Sequence, residues 1–175
     1  MIQVFTTGGT IDKVYFDAQS EFEVGDPLVA EILQTAGARV PFTVEVLFRK
    51  DSLDISESDR EAIAQKIVGA DPDRVLVTHG TDTMVQTALT TADALLDATD
   101  ASGFGKTVVF VGSLTPARFR QTDAEFNVGF AWAAVQTLPP GVYVAMNGRF
   151  FDARNVQKNR SRNRFEDTRA AAHAS

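Results

Sequence analysis

Five short runs in this chain are apolar almost from end to end, at residues 2–6, 43–48, 74–78, 107–111 and 142–145. Strands of this composition are buried on both faces, the condition of a parallel sheet covered by helices. The stretches between them have helical periodicity. Ser56 or Ser58 can cap a helix running to about Val68, with Ser58-Asp59-Arg60-Glu61 as a capping box and Ile63, Ala64 and Ile67 facing inward. Asp82 heads a second helix, with Val85, Ala88, Leu89, Ala92 and Leu96 on one side. Asp123 or Thr122 heads a third, with Phe126, Phe130, Ala134 and Leu138 on one side, and Pro139-Pro140-Gly141 stops it. This β-α-β rhythm predicts a doubly wound α/β fold, a mostly parallel sheet with helices on both faces and right-handed crossovers. One domain is expected over 1–165, followed by a polar, Ala-rich tail at 166–175. Residues 97–105 read as a polar loop, and 13–25 as a long, weakly periodic segment.

Composition narrows the chemistry. A length of 175 residues suffices for one domain with a real core. A net charge of −6 and a pI near 4.9 argue against nucleic acid as the main partner, since phosphate binding needs a basic face. There is no cysteine, which excludes disulfides, thiol nucleophiles and zinc-thiolate sites. His79 and His173 are the only histidines and lie far apart, so a His-based metal site or a Ser-His-Asp triad is not expected. No run approaches the roughly 20 apolar residues of a membrane span. The N-terminus reads as a strand rather than a signal segment. These features fit a soluble, cytoplasmic protein with no metal and no organic cofactor.

Two strand ends carry the same phrase. Val4-Phe5-Thr6 runs into Thr7-Gly8-Gly9-Thr10, and Val75-Leu76-Val77 runs into Thr78-His79-Gly80-Thr81. An acidic residue follows each, Asp12 and Asp82. In open α/β sheets, ligands sit beyond the carboxyl ends of the strands. Arg49-Lys50-Asp51-Ser52, Gly112-Ser113-Leu114-Thr115-Pro116 and Asn147-Gly148 are expected on the same rim. Taken alone, Thr7-Gly-Gly-Thr10 is a ligand loop, a phosphate cradle or a plain turn; the dinucleotide and P-loop patterns are not matched. Thr81 or Asp82 could simply cap a helix, although that leaves the other polar side chains around Gly80 unexplained. His79 reads as a structural hydrogen-bonding residue. Lys106 opens the fourth apolar run. A lysine there is ordinarily a solvated strand end, but a threonine hydroxyl needs a base and an amine can serve.

Taken together, Thr-Gly-Gly-Thr-Ile, His-Gly-Thr-Asp-Thr-Met and Lys106 followed by an apolar strand and Gly-Ser-Leu-x-Pro resemble the bacterial-type L-asparaginase family. The likeness continues through Asp123-x-x-x-Asn127, Val144-x-Met146-Asn147-Gly148 and Asn159 to about Phe165. It implies hydrolysis of the L-asparagine side-chain amide to L-aspartate and ammonia. Thr10 matches the attacking threonine. Thr81 matches the second threonine, grouped with Lys106 and Asp82, and Asp82 also matches the anchor of the substrate amine. Ser52, beside Asp51, matches the serine that binds the α-carboxylate. The backbone at Gly9, Gly80, Thr81 and Ser113 would complete the pocket. Tyr15 is the candidate for the family's loop tyrosine, although it lies close behind Thr10.

The resemblance also implies a homo-oligomer, a dimer or tetramer. It has one large departure: family members carry a second, C-terminal domain that supplies an acidic group near the substrate amine. Glu21 or Glu23 is the candidate replacement. The chain is expected to be a short, single-domain form ending in a polar helix. The alternative is a non-catalytic amino-acid-binding or regulatory module of the same fold. The basic positions Arg149, Arg154, Lys158, Arg160, Arg162, Arg164 and Arg169 read as a solvated helix or a subunit contact.

Overall fold

Strand β1, Ile2–Gly8, lies inside the sheet, which is why its residues are buried almost without interruption. The structure is a computed structural model and describes residues 1–16, 21–98 and 105–168. After β1 the chain forms a hairpin, β2 (Lys13–Phe16) and β3 (Glu21–Val24), then helix α1 (Val29–Thr35) and strand β4 (Phe42–Lys50). Helix α2 (Glu57–Val68), strand β5 (Arg74–Thr78), helix α3 (Met84–Ala98) and strand β6 (Thr107–Val111) follow. Helix α4 (Ala124–Thr137), strand β7 (Gly141–Met146) and a set of short strands, β8 (Arg149–Asp152), β9 (Val156–Asn159) and β10 (Arg164–Asp167), complete the described chain.

The main sheet has the order β4-β1-β5-β6-β7-β8, parallel except for β8. The expected parallel sheet with helices on both faces is therefore what forms. From β1 the chain steps outward to β4, then returns to the other side of β1 to make β5. The reversal places the switch point between the carboxyl ends of β1 and β5, where such sheets open a crevice. Thr6 and Thr78 are register partners across it.

Two apolar layers enclose the sheet. Ile63 and Ile67 of α2 and Met84, Ala88, Ala92 and Leu95 of α3 cover the face bearing Val75, Val77, Val108 and Phe110. Val29 and Leu33 of α1 and Val128, Ala131 and Val135 of α4 cover the face bearing Val4, Leu76, Val109 and Val111. This division corrects the expectation of uniformly right-handed crossovers. The steps β5-α3-β6 and β6-α4-β7 move the same way across the sheet, yet their helices lie on opposite faces. They must differ in hand. The β6-α4-β7 step is also opposite in hand to β1-α1-β4, which runs the other way on its own face, so it is the left-handed exception to a strong rule. The segment before α4 carries the chain over the sheet end: Ala117 N–H donates to Ile11 O at 3.1 Å. The Asp123 carboxylate accepts from the Leu114 and Thr115 N–H groups at 3.0 Å.

Several local expectations shift. The capping box is Ser56 with Asp59, the side chains and backbone N–H groups satisfying each other reciprocally. Helix α3 starts at Met84 rather than at Asp82 and runs on through Asp97 and Ala98, which had read as loop. Its buried side is Met84, Thr87, Ala88, Thr91, Ala92 and Leu95, leaving Leu96 exposed. The hydroxyls of Thr87 and Thr91 reach His79 and a helix carbonyl, so burial costs little. In α4 Ala124, Val128, Ala131, Ala134 and Val135 face the sheet, while Phe126 is exposed and Phe130 stacks on Phe150 at the margin. Small residues let that helix lie close to the strands. Residues 13–16 and 21–24 pair as a hairpin. Residues 164–167 form strand β10, whose Glu166 and Asp167 pair with β9; the expected terminal helix beyond it falls mostly outside the described residues. The tail residues 169–175 lie outside the described residues.

Candidate active site at the sheet rim

The two Thr-x-Gly-Thr turns touch. Gly8 and Gly9 both have φ of 92°, in the left-handed region that favours glycine. A Cβ on Gly9 would lie 2.4 Å from Gly80 Cα. On Gly80, a Cβ would lie 2.6 Å from Ser52 Cβ. The glycines thus let the segments at 8–10 and 79–81 meet backbone to backbone, with the Ser52 side chain packed on Gly80. Thr7 Oγ1 donates to Thr78 O at 3.0 Å, and Gly9 N–H donates to Lys50 O at 2.9 Å, fixing that approach. Thr10 opens a 3-10 turn, Thr10–Asp12, and Lys13 N–H closes it by donating to Thr10 O.

Thr81, Asp82 and Thr83 form a turn before α3, so Thr81 and Asp82 lie outside the helix. Thr83 Oγ1 donates instead to Ser52 O at 2.6 Å. Thr81 is 5 % exposed, and its hydroxyl accepts a hydrogen bond at 2.8 Å from Lys158 Nζ. The same ammonium donates to Asp82 Oδ1, also at 2.8 Å. The Lys158 side chain is 11 % exposed and Asp82 39 %, so the lysine is held inward while Asp82 remains partly open to solvent.

Lys106 does not join this group. Its ammonium donates to Ala70 O and to Pro72 O, at the amino-terminal foot of β6. Five strand residues at about 3.3 Å each separate that foot from the rim, further than a lysine side chain reaches. The expectation that Lys106 partners Thr81 is therefore corrected to Lys158. A run of basic positions had obscured Lys158 in the sequence. The basic positions from 149 to 164 form β8 to β10 and the turns between them rather than a helix, and Arg169 lies outside the described residues. Arg154 pairs with Asp93, and Arg162 and Arg164 pair with Glu166. The available signal was polarity: a lysine two residues after Val156, which faces the core, lies on the same side of β9 as that valine.

Other expected residues fall around the same rim. Ser52 is buried in a 3-10 turn, Ser52–Asp54, and Asp51 caps that turn by accepting from Leu53 N–H. The second oxygen of Asp51 pairs with Lys13 at 2.6 Å. Burial alone would raise the Asp51 carboxyl; the Lys13 ammonium and the Leu53 and Ser52 N–H groups outweigh it and hold the pKa below its ordinary value. Ser113 is buried and donates its hydroxyl to Thr115 O at 2.6 Å. Asn127 donates to Gly112 O at 3.2 Å and accepts from Asn147 N–H at 3.1 Å, tying the ends of β6 and β7 together. Tyr15 lies on β2 opposite Phe22, and Glu23 is exposed on β3 opposite Val14. The side chains of Tyr15 and Glu21 lie outside the described residues.

Two buried titratable groups flank the turns. His79 is fully buried, its Nδ1 bonding Gly80 O at 2.8 Å and its Nε2 the Thr87 hydroxyl at 2.9 Å. Burial pushes its pKa down to about 4, against the Gly80 bond, so it is a neutral structural residue at pH 7. Asp12 is also buried. One oxygen accepts from Leu28 N–H at 3.1 Å, and the other has no hydrogen-bond partner. Burial pushes its pKa up to about 6, against the Leu28 bond and the positive charge of Arg118. No group of three or more His, Cys, Asp or Glu among the described residues could hold a metal ion. No helix among them is long and apolar enough to cross a membrane.

These features define an α/β domain with a candidate site at the switch point of a parallel sheet, where two threonine turns and one lysine meet. The chain belongs to the asparaginase family: the model for the N-terminal domain, "Asparaginase, N-terminal", matches residues 1–171. Among solved structures it resembles the thermostable L-asparaginase from Thermococcus kodakarensis, at 25% identity and a TM-score of 0.75, covering 95% of this chain and 50% of that one. It also resembles a probable cytoplasmic L-asparaginase from Campylobacter jejuni, at 29% identity and a TM-score of 0.73, covering 95% of this chain and 51% of that one. L-asparaginase I from Vibrio cholerae, at 24% identity and a TM-score of 0.75, shares the fold over 95% of this chain and 50% of its own length. The chain therefore spans about half the length of these proteins and corresponds to their N-terminal part.

Proposed function

We propose that this domain hydrolyses the side-chain amide of L-asparagine to L-aspartate and ammonia, with Thr10 as nucleophile. One observation carries the reading: Lys158 Nζ sits between Thr81 Oγ1 and Asp82 Oδ1, 2.8 Å from each, on a turn that touches the Thr10 turn. A hydroxyl that accepts from an ammonium keeps its own proton free to donate. Thr81 is thereby oriented to hand a proton to the leaving nitrogen, with Lys158 behind it to restore the balance. Thr10 Oγ attacks the amide carbon and its proton passes to the Lys158–Thr81 pair as Thr81 protonates the leaving nitrogen; the C–N bond breaks, and ammonia departs from a β-aspartyl ester. Water then attacks the ester carbon, and the Thr10 oxygen leaves with a proton. N–H groups of the Gly9, Gly80 and Ser113 turns are the candidate donors to the developing oxyanion. The exposed side of Asp82 takes the α-amino group, and the Ser52 turn takes the α-carboxylate. The reading also places the protein in the cytoplasm as a homo-oligomer, with no nucleic acid or membrane partner.

Ammonia release from L-asparagine tests this. Activity should be present in the unaltered chain and absent in Thr10→Val and in Thr81→Val. Turnover that survives both changes sinks the mechanism. A second reading keeps the fold and the pocket as a non-catalytic amino-acid-binding or regulatory module. Aspartate binding by calorimetry with no ammonia release would select it. L-glutamine as a competing substrate sets the specificity.

A further inference from the structure

We infer that Lys13 is a positioning residue, an ionic latch holding the N-terminal hairpin and the Ser52 turn in one arrangement. This rests on the reading of the rim as a substrate site. Lys13 makes two contacts in different directions. Its backbone N–H closes the Thr10 turn, and its ammonium pairs with Asp51 Oδ2 at 2.6 Å. The pair is largely sheltered, with side-chain exposures of 24% and 30%. The opposite oxygen of Asp51 caps the Ser52 turn through Leu53 N–H at 3.1 Å. Ser52 O accepts the Thr83 hydroxyl, and Ser52 packs on Gly80. One lysine thus links the Thr10 turn, the Ser52 turn and the approach to Thr81.

Among the described residues, other ties on this side lie at the base of the hairpin, where Val24 packs against Gly8. Gly25 N–H donates to Asp12 O at its base, and Asp26 pairs with Arg49, but that pair is 78% and 54% exposed and solvent screens it. Lys13 can also sense the site. A carboxylate arriving at the Ser52 turn adds negative charge beside Asp51, which strengthens the hold of the ammonium. Substrate binding and hairpin order are then coupled, and the coupling is reciprocal.

The test compares Lys13→Met, Lys13→Arg and Asp51→Asn, the last keeping an oxygen for Leu53 N–H. Hydrogen–deuterium exchange without ligand should speed by about threefold to fivefold at both 13–16 and 52–55 in Lys13→Met, the range of a partly sheltered ion pair. Lys13→Arg should restore both segments. Lys13→Met and Asp51→Asn should not add when combined. In turnover, KM for L-asparagine should rise about threefold to fivefold with kcat within about twofold. KM of the unaltered chain should climb with salt, whereas that of Lys13→Met should not. Unchanged exchange at 52–55, or additive effects of the two substitutions, overturns the latch. Because exchange needs no substrate, a latch without asparaginase turnover would count against the function and leave the latch standing.

Discussion

Lys106 and Lys158 show the difference between the foot and the rim of the sheet. Each lysine is held by two oxygen acceptors. At the foot, Lys106 donates to two backbone carbonyls, Ala70 and Pro72, which hold fixed partial charges. At the rim, Lys158 donates to a hydroxyl and a carboxylate, groups that can exchange protons. The first arrangement pins a turn to a strand. The second assembles groups able to take part in a reaction. A lysine's meaning is set by its acceptors, and those depend on which end of the strand it occupies.

The largest expected effect separates the two directly. Lys158→Met should lower kcat for ammonia release by about a thousandfold, within the usual range for losing a proton-transfer group. Lys106→Met should leave kcat within about twofold. Equal losses in steady-state assays would erase the distinction between rim and foot.

A second test breaks the rim by geometry. In Gly9→Ala the new methyl would sit 2.4 Å from Gly80, on a backbone with φ of 92°. The expected cost is on the order of 3 kcal/mol in urea unfolding, with activity lost. An active, stable Gly9→Ala protein would mean that the two turns need not touch.

The pH dependence sharpens the comparison, because two buried titrating groups, Asp12 and His79, lie within a few residues of the turns. Asp12 is raised from 3.8 to about 6, so its ionisation opposes folding: its contribution is full at low pH and is lost as pH rises through about 6. His79 is lowered from 6.5 to about 4, so its contribution is full above 6.5 and is lost as pH falls through about 4. Each corresponds to about 3 kcal/mol at 1.36 kcal/mol per pH unit, with opposite sign. Stability should therefore be nearly flat between pH 4 and 6, as far as these two groups set it. Asp12→Asn should expose the histidine, and unfolding free energy should then fall on acidification through that window. A flat profile in Asp12→Asn, measured by chemical denaturation, would contradict the assignment. The smallest effect is at the foot: Lys106→Met should cost about 1–2 kcal/mol in thermal unfolding, the value of charge-assisted bonds to carbonyls.

The inner sheet strands were legible because burial on both faces demands apolar runs, as in Val75-Leu76-Val77 and Val108-Val109-Phe110-Val111. The two threonine turns were legible for a related reason, since glycines and hydroxyls closing such runs mark strand ends. Less was visible where packing decides. The short strands β2, β3 and β8 to β10 carry mixed, charged sequences and gain their pairing from neighbours. The hand of the β6-α4-β7 step depends on how the segment before α4 crosses the sheet end, which no local pattern states.

By itself, then, the sequence determined the strand composition of the fold and the two turns that meet at its rim, because local burial and backbone freedom are written residue by residue. Only the tertiary structure decided which lysine serves Thr81. Lys158 stands 77 positions from Thr81 in the chain and 2.8 Å from it in space. The contact depends on β9 folding back across α3, while Lys106, closer in sequence, is carried to the far end of β6 by the direction of its strand. Sequence distance says little about which charges meet, because a parallel sheet brings its strand ends together only after the crossovers between them have formed.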